Sequence, residues 1–293
     1  MRSVTEKTVH SATMMGAVVM FAGMGTVQAD PVPVDLGDWA AESYDSVSGF
    51  NDGIWTVSGD GSSVRQSVNG QPTLFYSDFD AFGTEVTGEI RVDTGSDDDF
   101  IGFVLGYQPG DNTNIDADYL LVDWKQRNQN FNFGVPSGSP GGTAPAGLAA
   151  SRVTGLPDAD EFWQHDNLSG TPPTSGLEEL ARGATLGNTG YSDFTTYEFT
   201  FDFGPNNLQV SVNGALEIDI VGEFANGRIG FYNFSQAQVV YSAFEVDEGS
   251  FPEEPGGGEP PGDDDDPVAV PEPGTLALLG LGLLGVGFAR RRA

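Results

Sequence analysis

Two neighbouring segments of the chain carry the strongest structural signal: DDDFIGFVLGYQ at residues 97–108 and DYLLVDWKQ at residues 118–126. Each contains a continuous apolar run of about the length of one strand. Continuous runs of this kind are typical of central strands that are covered on both faces. Because three aspartates directly precede the first run, the sequence predicts carboxylates at the end of a buried sheet.

Other segments alternate between apolar and polar residues, which is typical of strands with one buried face. The apolar positions are Val86, Ile90 and Val92 in one segment and Tyr197, Phe199, Phe201 and Phe203 in another. Predicted strands of both kinds recur along the chain, separated by turn segments that contain Gly, Asn and Pro. The predicted fold class is therefore all-β, with two packed sheets.

Three local features are less regular. We expect a hairpin at Asn213-Gly214 in which Val212 pairs with Leu216 through a three-residue loop with a glycine bulge, so that Glu217 and Asp219 lie away from the packed face. Residues 133–157 are rich in Gly, Pro, Ser and Ala and are predicted to be a long loop. Only residues 177–182 are predicted to form a short helical turn.

The N-terminal segment, residues 1–29, has the pattern of a secretory signal peptide. Arg2 and Lys7 precede a short apolar stretch, and Val27-Gln28-Ala29 is a small-residue cleavage pattern. Gly16 and Gly23 interrupt the apolar stretch, which is well short of the roughly 20 residues needed to span a bilayer.

The C-terminal segment, residues 271–293, joins Pro271-Glu272-Pro273 to an apolar stretch and then to Arg290, Arg291 and Arg292. The arginines favour the cytoplasmic side of a membrane, and an apolar stretch of about 15 residues is marginal as a permanent span. This order resembles the PEP-CTERM sorting tail of Gram-negative bacteria. The resemblance implies export, transient membrane association and removal of the tail by an exosortase-type protease; an ordinary C-terminal anchor is the alternative.

One domain is predicted between these ends, over residues 30–250, followed by an acidic Gly- and Pro-rich linker over residues 251–270. Residues 30–248 hold 34 Asp and Glu against seven Lys and Arg, a formal charge of −27. Such a surface repels nucleic acid and attracts cations. The absence of Cys excludes disulfides, thiol catalysis and Cys-based zinc sites.

The two opening segments resemble the lectin-like C-terminal domain of the thrombospondins. Further matching segments follow in the same order: EFW at 161–163, YSDFTTY at 191–197 and GRIGFYNFSQ at 227–236. The resemblance implies a concanavalin-like or lectin-like jelly roll and a calcium-dependent adhesive fold, not an enzyme. The calcium-wire repeats of thrombospondins are absent, and residues 109–117 contain an insertion. Family receptors therefore cannot be transferred, which leaves extracellular polysaccharide or matrix components as the expected partners.

Calcium binds six to eight oxygen atoms from carboxylates, carbonyls and water. Asp97, Asp98 and Asp99, with Asp93 close in sequence, are the predicted ligands; a solvated acidic loop is the alternative. A second oxygen-rich loop, DNTNIDAD at 111–118, lacks the Gly and Glu that an EF-hand requires.

Two other functions compete with the adhesive module. A carbohydrate-binding module would use an exposed aromatic side chain, although Trp39, Trp55, Trp124 and Trp163 are each expected in the core.

A β-glucanase-like hydrolase would use EIDIVGE at residues 217–223, but its two glutamates stand roughly 20 Å apart along an extended strand, against roughly 5 to 5.5 Å for a retaining pair. His165 is the one His outside the predicted signal peptide and is expected at the surface, which argues against a Ser-His-Asp hydrolase or a His-based zinc site.

Overall fold

A computed structural model describes residues 31–45, 47–168 and 176–247. The predicted signal peptide, the linker and the sorting tail, with Pro271, Glu272, Pro273 and Arg290 to Arg292, lie outside these ranges, and their boundaries remain predictions. Within the described ranges, none of the helices has the length and apolar character needed to cross a bilayer.

The regular secondary structure of the described residues is almost entirely β-strand. In chain order they are β1 Val32–Pro33, β2 Ala40–Ser43, β3 Trp55–Val57, β4 Ser63–Gln66, β5 Thr73–Asp80, β6 Thr84–Val92, β7 Phe100–Tyr107, β8 Asp118–Lys125, β9 Gln129–Phe131, β10 Gly142–Ala144, β11 Gly147–Thr154, β12 Gly176–Arg182, β13 Thr196–Gly204, β14 Asn207–Val212, β15 Ala215–Val221, β16 Arg228–Phe234 and β17 Val239–Asp247. The α-helix, α1, spans Ala159–Gln164.

Two large antiparallel sheets form a sandwich. The first has the order β15-β14-β13-β6-β17-β4-β3, with β1 added to β17, and the second has the order β12-β11-β8-β7-β16-β5-β2. The apolar positions predicted on β6 and β13 face the core between the sheets. The all-β, jelly-roll prediction is confirmed.

A second apolar core covers the opposite face of the seven-stranded sheet. Leu121 of β8, Tyr232 of β16 and Phe100 of β7 pack there against Phe162 and Trp163 of α1. Because this sheet is covered on both faces, every residue of β7 and every residue of β8 except Asp118 is buried, as their continuous apolar runs predicted.

The predicted loop over residues 133–157 is wrong in its second half. Strand β11 is an internal strand of the seven-stranded sheet, paired with β8 and with the edge strand β12. Its buried positions include Ala149, Ala150 and Ser151, which lack the β-branched or aromatic character that marks a strand in sequence. These small residues allow close packing on both faces, so burial sets the conformation here and intrinsic propensity does not.

The predicted helical turn at residues 177–182 is also wrong, because that segment is β12. The helix lies at α1, where Asp158 and Glu161 form a capping box: the backbone N–H of Asp158 donates to Glu161 Oε2 at 2.8 Å. The D-x-x-E spacing that carries this box is visible in the sequence.

The β14–β15 hairpin has a two-residue turn, contrary to the predicted three-residue loop. Val212 pairs with Ala215, and Asn213 and Gly214 both have positive φ, 50° and 76°. Such a turn matches the twist of the strands. A bulge farther along the hairpin then shifts which residues of β15 face the core, so Leu216 is 49% exposed and Glu217 is buried. The prediction was therefore wrong for Glu217; Asp219 is exposed, as expected.

Candidate functional site

Asp97, Asp98 and Asp99 converge at the end of the seven-stranded sheet, on the loop that leads into β7. Each offers a carboxylate oxygen, and these atoms all lie within 4.8 Å of one another. Asp93 is not part of the group: its carboxylate pairs with Arg65 at 3.0 Å and with Arg91 at 2.6 Å. The structure therefore brings together three of the four residues predicted from the sequence.

The loop is fixed to the core through Asp99. Its N–H donates to Gln236 Oε1 at 2.9 Å, and its carbonyl accepts from the Tyr191 hydroxyl at 2.7 Å. Asp99, Tyr191 and Gln236 are all buried. Because these three residues come from separate parts of the chain, the position of the acidic loop depends on the completed fold.

Lys125, at the end of β8, supplies a fully buried ammonium group to the cluster. Its Nζ donates to Asp99 Oδ1 at 2.6 Å and to the Asp98 carbonyl at 3.0 Å, and it lies 4.8 Å from the centre of the Trp163 ring. Lys125 was overlooked as a site residue, although it stands inside the segment DYLLVDWKQ. Asp99 is thus already neutralised by a cation of the chain itself.

Asp97 and Asp98 line a cleft of about 250 Å³, together with Gly95, Ser96, Gln126, Arg127 and Gln129. Burial, and next the negative charge of Asp99, raise the pKa of Asp97 to about 6. Asn69 donates a short hydrogen bond from its side-chain amide to the same carboxylate. Asp97 therefore carries repulsion that a bound cation would relieve.

An exposed aromatic ring stands at the edge of this cleft. Phe194 is 66% exposed, and a methyl group placed on Gly95 would lie 3.8 Å from its Cε2. The backbone of Phe194 has φ +60°, and its N–H donates to the Val92 carbonyl at 2.8 Å. By contrast Trp39, Trp124 and Trp163 are buried and Trp55 packs against the core, as expected.

His165 is buried, contrary to the prediction that it lies on the surface. Its Nε2 is 3.0 Å from Asp123 Oδ2 and its Nδ1 is 3.3 Å from Glu179 Oε2. Burial alone would lower its pKa, but the two carboxylates outweigh that effect and raise it to about 9. The side chain is a structural cation between β8 and β12.

Two other acidic candidates are engaged in structural contacts. Glu217 accepts hydrogen bonds from the N–H groups of Thr185 and Leu186 at 2.8 and 3.0 Å, and so holds a loop between the sheets. In the second oxygen-rich loop, Asp111 accepts from the Gln108 N–H at 2.9 Å, and Asp118 pairs with Arg152 at 2.6 Å.

Two regions of the chain match known protein families. Residues 51–154 match the family described as the thrombospondin C-terminal region, and residues 269–292 match the PEP-CTERM protein-sorting motif. Thrombospondin-3b of Danio rerio is 28% identical over 197 residues, covering 64% of this chain and 20% of its own length. Thrombospondin-2 of Mus musculus is 27% identical over 199 residues, covering 64% and 16%. The chain thus spans a fifth or less of these relatives.

Solved structures of similar fold include the carbohydrate-binding module CBM66 from Bacillus subtilis, with a TM-score of 0.43 and 11% identity, covering 68% of this chain and 94% of that one. A glycoside hydrolase family 16 endo-glucanase from Bacteroides ovatus has a TM-score of 0.38 and 10% identity, covering 73% and 96%.

Both resemblances noted in the sequence are confirmed by the family matches. The chain joins a region similar to the thrombospondin C-terminal region to a PEP-CTERM protein-sorting motif, which indicates an exported protein.

Proposed function

We propose that this chain is an exported, non-catalytic, lectin-like adhesive module of the cell surface or extracellular matrix of a Gram-negative bacterium, and that it binds calcium at Asp97, Asp98 and Asp99. The observation that carries the proposal is the convergence of these three carboxylates at an open cleft, on a loop fixed to the core by Gln236 and Tyr191.

The donor set suits a hard cation. Asp97 and Asp98 line the cleft, and Ser96 and Gln126 add a hydroxyl and an amide oxygen to its lining, whereas the amide oxygen of Gln129 accepts from Lys125 Nζ at 3.0 Å. Calcium accepts such mixed oxygen ligands and completes its shell with water. Because the ammonium of Lys125 lies 2.6 Å from Asp99 Oδ1 and 3.4 Å from Asp98 Oδ1, the carboxylate of Asp97, and next that of Asp98, carries most of the binding. A bound calcium ion would stiffen the loop and leave the rest of the cleft open to a ligand.

The contacts of Glu217 and His165 support a non-catalytic role. A retaining glycosidase needs two carboxyl groups free on either side of the substrate bond. Glu217 is buried, and its carboxylate accepts hydrogen bonds from the backbone N–H groups of Thr185 and Leu186. His165 is enclosed between the carboxylates of Asp123 and Glu179. Release of reducing sugar from a β-glucan by the full-length protein, abolished by Glu217→Gln, would contradict this role.

Calcium binding is tested by thermal unfolding of the full-length protein, first in chelator and then with added calcium. At calcium about 100 times above the dissociation constant, one site stabilises the fold by about 2.7 kcal/mol. For a domain of this size that is a rise in Tm of about 5 to 10 °C. Asp97→Asn should reduce the rise strongly.

The matched control is Asp116→Asn, which removes the same charge from an exposed position in the other acidic loop. It should leave the calcium response unchanged. Asp99→Asn is a poorer probe, because it also removes the shorter of the two ion pairs of the buried Lys125 ammonium, the one at 2.6 Å. An absent response in the wild type, or an equal one in Asp97→Asn, would exclude this site.

A further inference from the structure

Phe194 combines two features that are unfavourable for folding. An aromatic ring that is 66% exposed contributes little burial, and a positive φ costs a non-glycine residue of order 1 kcal/mol or more. Gly or Asn would satisfy the same backbone at lower cost. The adjacent Asp193 fixes the loop, because its carboxylate accepts from Gln126 Nε2 at 2.9 Å. The ring is thus held in the open beside Gly95, at the edge of the cleft.

The cleft offers polar groups that match sugar hydroxyls. Asp97 and Asp98 provide acceptors. Gln126 Nε2 already donates to Asp193 and Gln129 Oε1 already accepts from Lys125 Nζ at 3.0 Å, so a sugar would use the amide oxygen of Gln126 and the amide NH₂ of Gln129. Ligand sites combine a few such groups with an apolar surface, which here is the Phe194 ring. Gly95 has no side chain to block the approach to that ring. Since pockets for drug-sized ligands measure about 300 to 1,000 Å³, a cleft of about 250 Å³ suits one sugar ring.

The charges around the cleft select among sugars. Asp97, Asp98, Asp99 and Asp193 stand against the cations Lys125 and Arg127, and Lys125 is already consumed by Asp99. Without a bound cation the local charge is negative; a bound calcium ion would offset it, but the surrounding domain stays strongly acidic, with a formal charge of −27 over residues 30–248. A uronate or sulfated sugar would be repelled, whereas a neutral ring would lose nothing.

We infer that this cleft is a binding subsite for one neutral pyranose unit of a polysaccharide, with the apolar face of the sugar stacked on Phe194 and its hydroxyls bonded to Asp97, Gln126 and Gln129. This inference rests on the proposed lectin-like function and names its ligand class. Phe194 acts as the stacking platform, a role for which the sequence suggested only the tryptophans.

The test is affinity electrophoresis of the full-length protein in native gels containing a soluble β-glucan, mannan or galactan, with alginate as the anionic arm. The wild type should be retarded by at least one neutral polymer, and the matching free monosaccharide should reverse the effect. Phe194→Ala should weaken binding by up to about tenfold, and Phe194→Tyr should bind like the wild type. The control Ile115→Ala removes a side chain that is 70% exposed on another loop and should bind normally.

Each outcome decides between the two proposals. Retardation of Phe194→Ala equal to that of the wild type, retardation by alginate alone, or none by any neutral polymer overturns the subsite. Because Phe194 contributes little to the core, an unchanged Tm shows that the variant is folded. A calcium-dependent rise in Tm without sugar binding would support the metal site and exclude the sugar subsite. Sugar binding that depends on Phe194, without a calcium response, would support the subsite and exclude the metal site.

Discussion

At the scale of single residues, the domain places buried cations beside buried carboxylates. Lys125 lies between Asp99 and the aromatic ring of Trp163, and His165 lies between Asp123 and Glu179. A charge removed from water is tolerated only when it is paired and hydrogen-bonded. These pairs join β8 to the acidic loop and to β12, so they fix the ends of the sheet at which the cleft lies.

The His165 cluster predicts a pH dependence of stability. The folded pKa of about 9 lies above the usual 6.5, so the stabilisation is complete below pH 6.5 and is lost as the pH rises through 9. The full shift corresponds to about 3 kcal/mol. Urea unfolding from pH 6 to pH 10 should show this decline, and His165→Gln should flatten it. An unchanged slope in that variant would contradict the assignment.

The Lys125–Asp99 pair predicts strong coupling between its members. Lys125→Met leaves the buried carboxylate of Asp99 without its cation and should lower the free energy of unfolding by about 3 to 5 kcal/mol. Adding Asp99→Asn should recover part of that loss, because no buried charge then remains unpaired. A double-mutant cycle measured by urea unfolding gives the coupling, and purely additive effects would show that the ion pair has no net role.

At the scale of elements, strands with a clear period could be predicted from the sequence, and strands set by tertiary contacts could not. Val86, Ile90 and Val92 alternate with polar residues, and the structure has strand β6 at that position. The small residues of β11 carry no such period, and the bulge that buries Glu217 depends on a loop from elsewhere in the chain. The acidic triplet could be predicted because its three members are adjacent in sequence. Lys125 and Phe194 acquire their roles only through the contacts that the fold creates.

Glu217 is predicted to support the structure and to play no part in catalysis. Glu217→Ala removes the acceptor for the N–H groups of Thr185 and Leu186 and should cost about 1 to 3 kcal/mol in urea unfolding. Glu217→Gln keeps one carbonyl acceptor and should cost less. The neighbouring exposed Asp219→Ala serves as the control and should be nearly neutral. Equal stability in Glu217→Ala and the wild type would leave this glutamate without the structural role assigned here.

At the scale of the whole molecule, the sandwich contains both of its apolar cores within residues 31–247. Residues 251–270 are acidic and rich in Gly and Pro, a composition that favours an extended, solvated spacer. A spacer of this kind between the folded domain and the sorting motif is consistent with the proposed removal of the tail after export.

The last prediction concerns that separation. If the match at residues 269–292 marks a processed tail, the protein recovered from its native host should lack residues 276–293, and intact-mass measurement should show a correspondingly shorter chain. Changing Arg290, Arg291 and Arg292 to Ser removes the positive charges that hold the C-terminus on the cytoplasmic side, so processing should fall and the unprocessed form should accumulate. Arg228→Ser, a change of the same kind within the folded domain, controls for the loss of positive charge. Native protein that still carries its final 18 residues would show that the tail is a lasting anchor and not a removable signal.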